Sequence, residues 1–262
     1  MWLEFDSLVN ARDLGGTPTT DGGAIAPGRL IRSDNLQALT AADIARLREI
    51  GVSDVVDLRS SAEVNSEGPG PLLAEDGFSV HHLSMFREDP VAPTEPEGEL
   101  PGEMPSEALP WVGLTPSVDH DNVFASHYLS YLRDRPDSVL TALRTIGTAN
   151  GATLVHCAAG KDRTGTITAL ALLLAGAEPD AVVADYAASS ARMQQIVDKL
   201  MNTRTYADNL RGRPLSSHMT NPETMAGFID HLQREYGGVE GMVAGIGWTA
   251  ADNQALRTKL RS

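Results

Sequence analysis

The sequence predicts an α/β fold with a largely parallel central sheet flanked by helices and a helical C-terminal half. Before His156, short apolar runs alternate with helical patterns, which is typical of a parallel sheet built from strand–helix units. After Thr164 the pattern is almost entirely helical. The 262 residues, 42 % of them hydrophobic, can bury a large core, and we expect one domain spanning residues 1–262.

Local signals place the N-terminal elements. Residues 14–33 predict a hairpin, because Asp21-Gly22-Gly23 is a turn sequence between two extended segments. Thr40 and Asp43 form a capping-box pattern at the start of a helix that Gly51 ends. Two short apolar strands are predicted, at residues 52–58 and 78–83.

One further strand and a series of helices complete the pattern. Residues 153–155 are the end of a buried strand, and residues 164–175 form an apolar helix after it. Residues 203–221 are polar and rich in turn-forming residues, so we expect a loop there. The remaining helices are predicted at residues 119–133, 136–149, 179–187, 190–201, 222–236, 239–246 and 250–260.

The segment 86–122 is different in composition. From Glu88 to Pro110 it has six prolines, seven acidic residues and no Lys or Arg. Such a composition cannot build a core and predicts a mobile, solvated insertion. The alternative is a lid over the functional pocket, in which the acidic residues mimic an anionic substrate.

The chain's only cysteine lies in the motif His156-Cys157-Ala158-Ala159-Gly160-Lys161-Asp162-Arg163-Thr164-Gly165. Because the motif joins a buried strand to a helix, amide N–H groups of residues 158–163 can surround a phosphoryl group at the helix N-terminus. The amides, the helix end and Arg163 would favour the thiolate form of Cys157, which is the nucleophile. This spacing of cysteine and arginine is the pattern of cysteine-dependent phosphatases.

The other motif residues have complementary predicted roles. The planar guanidinium of Arg163 can bind two phosphoryl oxygens at once. The Thr164 hydroxyl can donate to the sulfur and stabilise it as a leaving thiolate. We expect His156 to hold the loop and tune Cys157 rather than contact substrate. Together these residues predict phosphomonoester hydrolysis through a phosphocysteine intermediate.

The chain resembles the bacterial tyrosine phosphatases typified by mycobacterial protein tyrosine phosphatase B. Besides the loop, the resemblance rests on residues 10–16 (NARDLGG), 30–33 (LIRS), 57–60 (DLRS) with Glu63, and 236–239 (YGGV). It covers nearly the whole chain apart from residues 86–122. It implies a fold of the cysteine-phosphatase type and activity on phosphotyrosine and, in several members, on phosphoinositides.

A carboxylate must protonate the leaving oxygen and can later activate water. Asp162 is the first candidate, because it lies in the loop and a Lys-Asp-Arg sequence there is peculiar to the resembled family. Its structural alternative is an ion pair with an arginine such as Arg12. The other candidate acids are Asp57, at a strand's carboxyl end, and then Asp119 and Asp121.

Four further charged residues are candidates for supporting roles. Arg12 and Asp13 are expected to form an ion pair that buttresses the loop, with direct substrate contact by Arg12 as the alternative. Asp57 and Arg59 follow a strand and are expected near the loop. Lys161 either recognises a second phosphate, as in the lipid phosphatases of the tensin type that it resembles, or attracts the phosphoryl dianion generally.

Net charge and sequence composition limit the binding partners and the cellular location that we expect. A net charge of −14 argues against nucleic acid and against general attraction to anionic membranes. The N-terminus lacks a signal-peptide pattern and no apolar stretch is long enough to span a bilayer, so we expect a soluble cytoplasmic protein, with signal-independent secretion open. No metal or organic cofactor is expected, because the histidines lack metal-ligand spacing. The oligomeric state is not predicted.

Protein phosphotyrosine is the first substrate class, followed by phosphoserine/threonine and phosphoinositides. A catalytically inactive phospho-binding module is a different class of function. It is disfavoured because Cys157, Arg163 and Thr164 are all present. A thiol transferase or arsenate reductase would normally need a resolving cysteine, which the chain lacks.

Overall fold

The computed structural model describes residues 1–88 and 114–262. Its strands are β1 (Arg12–Asp13), β2 (Leu30–Ser33), β3 (Val52–Asp57), β4 (Ser79–His82) and β5 (Ala152–His156). They form one sheet in the order β1-β2-β5-β3-β4. β1 is antiparallel to β2, and the other neighbouring pairs are parallel. The predicted α/β fold with a largely parallel sheet is confirmed.

Most helices lie C-terminal to the sheet in sequence. The described residues form α1 (Ala41–Ile50), α2 (Ser61–Glu67), α3 (Val123–Asp134), α4 (Pro136–Thr148), α5 (Asp162–Leu174), α6 (Pro179–Ala188), α7 (Met193–Met201), α8 (Ala207–Leu210), α9 (Pro222–Tyr236), α10 (Val239–Gly245) and α11 (Ala250–Arg261). Seven of them follow β5, so the helical C-terminal half is confirmed as well.

Apolar side chains cover both faces of the sheet. Successive residues of β5 point to opposite faces. Leu154 therefore packs into a smaller core that includes Leu47 of α1, whereas Val155 packs into the main core with Ile167 and Leu170 of α5. Because both faces of β5 are buried, its apolar residues Leu154 and Val155 are adjacent rather than alternating with exposed polar ones.

Two predicted N-terminal features are confirmed in detail. β1 and β2 pair as a hairpin, and Pro18 bridges Ala24 on either side of the Asp21-Gly22-Gly23 turn. The Thr40 hydroxyl accepts from the amide of Asp43, whose carboxylate accepts in turn from the amide of Thr40, so α1 begins with a full capping box.

The structure corrects the sequence prediction in three places. Residues 203–221, predicted as a loop, contain α8 and the 3₁₀-helix Leu215–His218, each only four residues long and too short to show a period. The helix α2 was not predicted, because its seven residues lack an apolar repeat. α3 begins at Val123 rather than at 119, since Asn122 accepts hydrogen bonds from the next amides and caps it.

Most of the acidic insertion predicted at 86–122, including the lid alternative, lies outside the described residues. At the N-terminal end of this segment, Glu88 is described. Its carboxylate accepts hydrogen bonds from the amide and hydroxyl of Ser61 and from the hydroxyl of Ser84. None of the helices within residues 1–88 and 114–262 has the length and apolar character needed to cross a membrane.

Candidate active site

Cys157 lies at the carboxyl edge of the sheet, between the end of β5 and the start of α5. This is the edge at which parallel α/β sheets bind ligands. The residue is 2 % exposed and lines a cavity of about 330 Å³. Of the predicted phosphate-binding residues, Ala158, Ala159, Lys161, Asp162 and Arg163 line the same cavity, whereas Gly160 does not.

The loop backbone is oriented by hydrogen bonds to its carbonyl oxygens. Among residues 158–161, these oxygens accept from the amide of Asn35, the side-chain amide of Asn10 and the guanidinium of Arg32, at 2.7–3.3 Å. By contrast, the amide N–H groups of residues 158–162 donate to nothing within the described part of the chain. Outward carbonyls and unused amides are the arrangement that an anion-binding loop requires.

Gly160 is required by the fit of this loop against β2. Its φ is +66°, and a Cβ at this position would lie 2.3 Å from the carbonyl oxygen of Ser33. A side chain would therefore push the loop away from the strand that supports it.

Arg163 is held by a buried carboxylate. Its Nη1 and Nη2 donate to the two carboxylate oxygens of Glu63 at 2.5 and 2.9 Å. Glu63 also accepts from the Ser60 amide at 2.7 Å, so it caps α2 while it orients the arginine. Burial disfavours its charge, but Arg163 more than offsets this and lowers the pKa of Glu63. The Tyr206 hydroxyl donates to the same carboxylate at 2.8 Å.

Asp162 is held in place by two other groups. Its Oδ2 lies 2.8 Å from the ammonium nitrogen of Lys161, and its Oδ1 accepts from the Tyr128 hydroxyl at 2.5 Å. The side chain is 29 % exposed. Burial acts to raise its pKa, but Lys161 and Tyr128 outweigh it and lower the pKa of Asp162. The predicted alternative, an ion pair with Arg12, does not form.

The prediction of an ion pair between Arg12 and Asp13 was wrong. Arg12 donates through Nε to Asp185 at 2.7 Å, and Asp185 also accepts from Arg32 at 2.6 Å. The Asp13 carboxylate instead accepts from the amides of residues 15 and 28, because the hairpin turns there and leaves those amides unpaired. Arg12 still supports the loop, through Asn10, and does not line the cavity.

Burial and the nearby charge of Arg32 lower the pKa of Arg12 to about 10, still far above neutral. Two arginines and one carboxylate thus leave a net positive charge behind the loop that follows β5, which favours an anion in the cavity.

Asp57, Arg59 and His156 form a buried cluster behind the loop. Asp57 accepts from Arg59 at 2.6 Å and lies 3.6 Å from the imidazole Nε2 of His156. Burial acts to raise the pKa of Asp57, but His156 and Arg59 hold it at about 2. Burial lowers the pKa of His156 to about 4, so its imidazole is neutral at neutral pH. These residues support the strand ends and none of them lines the cavity.

The remaining predicted residues are placed as follows. The Thr164 hydroxyl is buried and has no hydrogen-bond partner among the described residues, so the expected bond to the sulfur is not made in this conformation. Asp119 and Asp121 are exposed and are not among the described residues that line the cavity. No group of three or more His, Cys, Asp or Glu side chains suited to a metal occurs within residues 1–88 and 114–262.

The cavity walls combine aromatic and cationic side chains. Phe86, Phe124 and Tyr131 provide apolar surface above Cys157. The guanidinium carbon of Arg163 lies 5.3 Å from the ring centroid of Phe86, and the Lys161 ammonium lies 5.8 Å from that of Phe124. The further basic residues that line it are His127, Arg213 and His218.

Sequence reasoning missed three residues that hold the site together. Glu63 was named only as part of a block that resembles the phosphatase family, although its spacing from Ser60 is a capping-box signal. Tyr128 and Asp185 carried no signal, because they reach the loop from helices α3 and α6 and only the folded chain shows their partners.

Comparison with known proteins gives a consistent result. A family model described as the tyrosine phosphatase family matches residues 3–262. The triple specificity protein phosphatase PtpB of Mycobacterium tuberculosis is 35 % identical over 208 residues, covering 74 % of this chain and 71 % of that protein.

Two further relatives match over more of the chain. A Cupriavidus necator protein assigned as a tyrosine-protein phosphatase is 30 % identical and covers 96 % of this chain and 81 % of its own length. A tyrosine-protein phosphatase of Nostoc commune is 26 % identical, covering 93 % and 78 %.

Proposed function

The chain belongs to the tyrosine phosphatase family, and on that premise we propose that it hydrolyses phosphotyrosine in proteins through a phosphocysteine intermediate on Cys157. The observation that carries this proposal is the loop geometry. One buried cysteine faces a cavity beneath unused backbone amides, beside an arginine that Glu63 holds in position.

In the first step, the Cys157 thiolate attacks phosphorus in line with the leaving oxygen. A P–S bond forms as the P–O bond to the leaving group breaks. The loop amides and Arg163 stabilise the charge on the three non-bridging oxygens. Asp162 donates its proton to the leaving phenolate oxygen, so the product departs as a neutral phenol.

In the second step, water attacks phosphorus and the P–S bond breaks. The Asp162 carboxylate accepts a proton from that water, which regenerates the acid for the next cycle. Thr164, whose hydroxyl is unpartnered among the described residues, then has the sulfur as its natural acceptor when the thiolate leaves. No step requires a metal ion or an organic cofactor.

The aromatic walls favour phosphotyrosine over phosphoserine. A phenyl ring can pack on Phe86, Phe124 and Tyr131 while its phosphate reaches Cys157, whereas a serine side chain is too short to contact those rings. This contact adds apolar burial that a short phosphorylated side chain cannot supply.

A second candidate substrate class is the phosphoinositides. Lys161, Arg213 and His218 line the same cavity, and a ligand with a second phosphate could use them. The Mycobacterium tuberculosis relative, whose name describes a triple specificity, is a reason to compare several classes.

The test is a profile of initial rates with the wild-type chain. A phosphotyrosine peptide, the matched phosphoserine and phosphothreonine peptides, and soluble short-chain phosphoinositides are compared at equal ionic strength. We expect the highest kcat/KM for the phosphotyrosine peptide and no phosphate release by Cys157→Ser. Binding without turnover by the wild type would instead identify a phospho-binding module.

A further inference from the structure

The general acid proposed above is tied to a chain of buried hydrogen bonds. The Tyr128 hydroxyl donates to Asp162 Oδ1 at 2.5 Å and lies 2.8 Å from the hydroxyl of Tyr186. The Tyr186 side chain lies next to that of Thr224, which accepts from the side-chain amide of Asn122 at 3.1 Å.

The direction of each hydrogen bond follows from its acceptor. Tyr128 has one proton and gives it to the carboxylate, so the hydroxyl of Tyr186 must donate to Tyr128. The Asn122 amide donates to Thr224, beside Tyr186. The hydroxyls of Tyr186 and Tyr128 thus both donate towards Asp162, and donors aligned head to tail strengthen one another.

This order fixes where Asp162 can carry a proton. Burial raises the pKa of Tyr128 well above its ordinary value, so the hydroxyl stays protonated at any pH at which the protein works. Oδ1 accepts from this hydroxyl and also lies 3.1 Å from the Lys161 ammonium. Oδ2 makes no hydrogen bond to Tyr128, so it is the oxygen left to carry the transferable proton, 2.8 Å from the same ammonium.

We propose, on the basis of the function proposed above, that Tyr128 is the positioning residue of the general acid. It orients the Asp162 carboxyl so that one oxygen is fixed and the other delivers the proton, and Tyr186 sustains its donation. Tyr128 acts through Asp162 and need not contact the substrate.

Several other groups surround Asp162. They come from the loop and from four helical segments. These groups are Lys161 in the loop, Arg163 in α5, His127 and Tyr131 in α3, Tyr186 in α6 and His218 in the 3₁₀-helix Leu215–His218. A tyrosine-to-phenylalanine substitution changes the charge of none of them. A change in the pH dependence of Tyr128→Phe therefore isolates the hydroxyl.

The experiment measures kcat/KM against pH for the wild type and Tyr128→Phe with one substrate, so that the ionisation of the substrate cancels. Loss of a donor to the carboxylate favours the protonated acid. The falling limb of the profile, where activity is lost as the pH rises, therefore moves to a pH about one unit higher. With phenyl phosphate, whose phenolate is a poor leaving group, the kcat of Tyr128→Phe falls about tenfold below that of the wild type. With p-nitrophenyl phosphate, whose leaving group is a weaker base, kcat changes much less.

Tyr186→Phe and Tyr131→Phe make the test specific. Tyr186→Phe keeps Tyr128 but removes its donor, so the limb moves in the same direction by a smaller amount. Tyr131 lies on the same helix with its ring 6.1 Å from that of Tyr128, and its hydroxyl makes no hydrogen bond within residues 1–88 and 114–262. Tyr131→Phe should leave the limb where it is, whatever it does to KM.

A Tyr128→Phe enzyme whose falling limb stays at the wild-type pH overturns the proposal. If circular dichroism shows that this variant does not fold, Tyr186→Phe decides instead, and an unmoved limb has the same meaning. Asp162→Asn with an unchanged falling limb also overturns it, while leaving Cys157 as the nucleophile. Failure of the proposed function would be seen separately, as a wild type that releases no phosphate.

Discussion

At the scale of single residues, the position of Arg163 depends on Glu63. The two side chains share two hydrogen bonds in a buried pair, and Glu63 has no solvent to replace its partner. A buried ion pair is costly to break, because the remaining charge is left uncompensated. The arginine that we propose binds phosphate is thus oriented before substrate arrives.

Glu63→Gln tests this orientation. The amide keeps the shape but puts an N–H group against the guanidinium, so we expect the free energy of unfolding to fall by about 3 kcal/mol. KM for p-nitrophenyl phosphate should rise about tenfold, which corresponds to ~1.4 kcal/mol of lost binding. Denaturant titration measures the free energy of unfolding, and steady-state kinetics measure KM.

The exposed pair Arg46–Glu49 supplies the control, Glu49→Gln, which should change neither the free energy of unfolding nor KM. Equal effects of Glu63→Gln and Glu49→Gln would refute a special role for Glu63.

His156 gives a prediction about stability and pH. Its pKa is about 4 in the folded chain and near 6.5 when unperturbed, so the unfolded chain takes up a proton first as the pH falls. Stability is therefore lost between about pH 6.5 and pH 4, and the loss approaches about 3 kcal/mol below pH 4. The free energy of unfolding of His156→Asn, measured over this range, should fall less steeply than that of the wild type. Parallel curves would show that the imidazole is not buried neutral.

The residues that could be predicted from sequence are those of one contiguous motif. Cys157 and Arg163 are six positions apart, and their roles follow from that spacing alone. Glu63 and Asp185 are paired with arginines 100 and more positions away, so only the folded chain identifies the partners. For the same reason Asp13 was mistaken for the partner of Arg12.

At the scale of elements, the contact between β2 and the loop that follows β5 sets the loop's shape. Arg32 in β2 donates to the carbonyl oxygens of Gly160 and Lys161, while the Ser33 carbonyl leaves no room for a side chain at Gly160. The strand thus supplies both a hydrogen-bond donor and a steric limit.

Gly160→Ala and Gly28→Ala separate these effects. Both glycines have φ near +67°, at +66° and +68°, but a Cβ at Gly28 has nothing within 4 Å. Gly28→Ala should cost about 1 kcal/mol of backbone strain and leave activity intact. Gly160→Ala should cost clearly more in thermal unfolding and reduce kcat/KM at least tenfold, because the loop is displaced. Equal behaviour of the two variants would contradict the close packing against Ser33.

The longer elements could be predicted because their patterns are local. α1 carries its own capping box and terminating glycine, and α9 was predicted with the bounds that it has. α2 and α8, with seven and four residues, are held by contacts to other parts of the chain, such as Glu63 to Arg163, rather than by an apolar repeat.

At the scale of the whole molecule, a negative chain surrounds a positive cavity. The net charge is −14, yet Asp162 is the one acidic residue among the described residues that line the cavity, beside Lys161, Arg163 and Arg213. An anionic substrate is therefore repelled at long range and attracted at short range.

Added salt should distinguish the long-range repulsion of the substrate from its short-range attraction. The screening length is about 30 Å at 0.01 M salt and about 10 Å at 0.1 M, so added salt removes the repulsion before it weakens contacts inside the cavity. We expect kcat/KM for an acidic phosphotyrosine peptide to rise between these concentrations, and that for a peptide with neutral flanking residues to change less. A monotonic fall for the acidic peptide would mean that attraction dominates at all distances.

The central claim is that one sulfur carries the phosphoryl group during turnover. Steady-state reaction with a ³²P-labelled phosphotyrosine peptide is quenched by denaturation, and the labelled peptide of the enzyme is located by mass spectrometry. The account predicts phosphate on Cys157, less than one per chain, and none in Cys157→Ser. Turnover without label on Cys157, or undiminished turnover by Cys157→Ser, would contradict it.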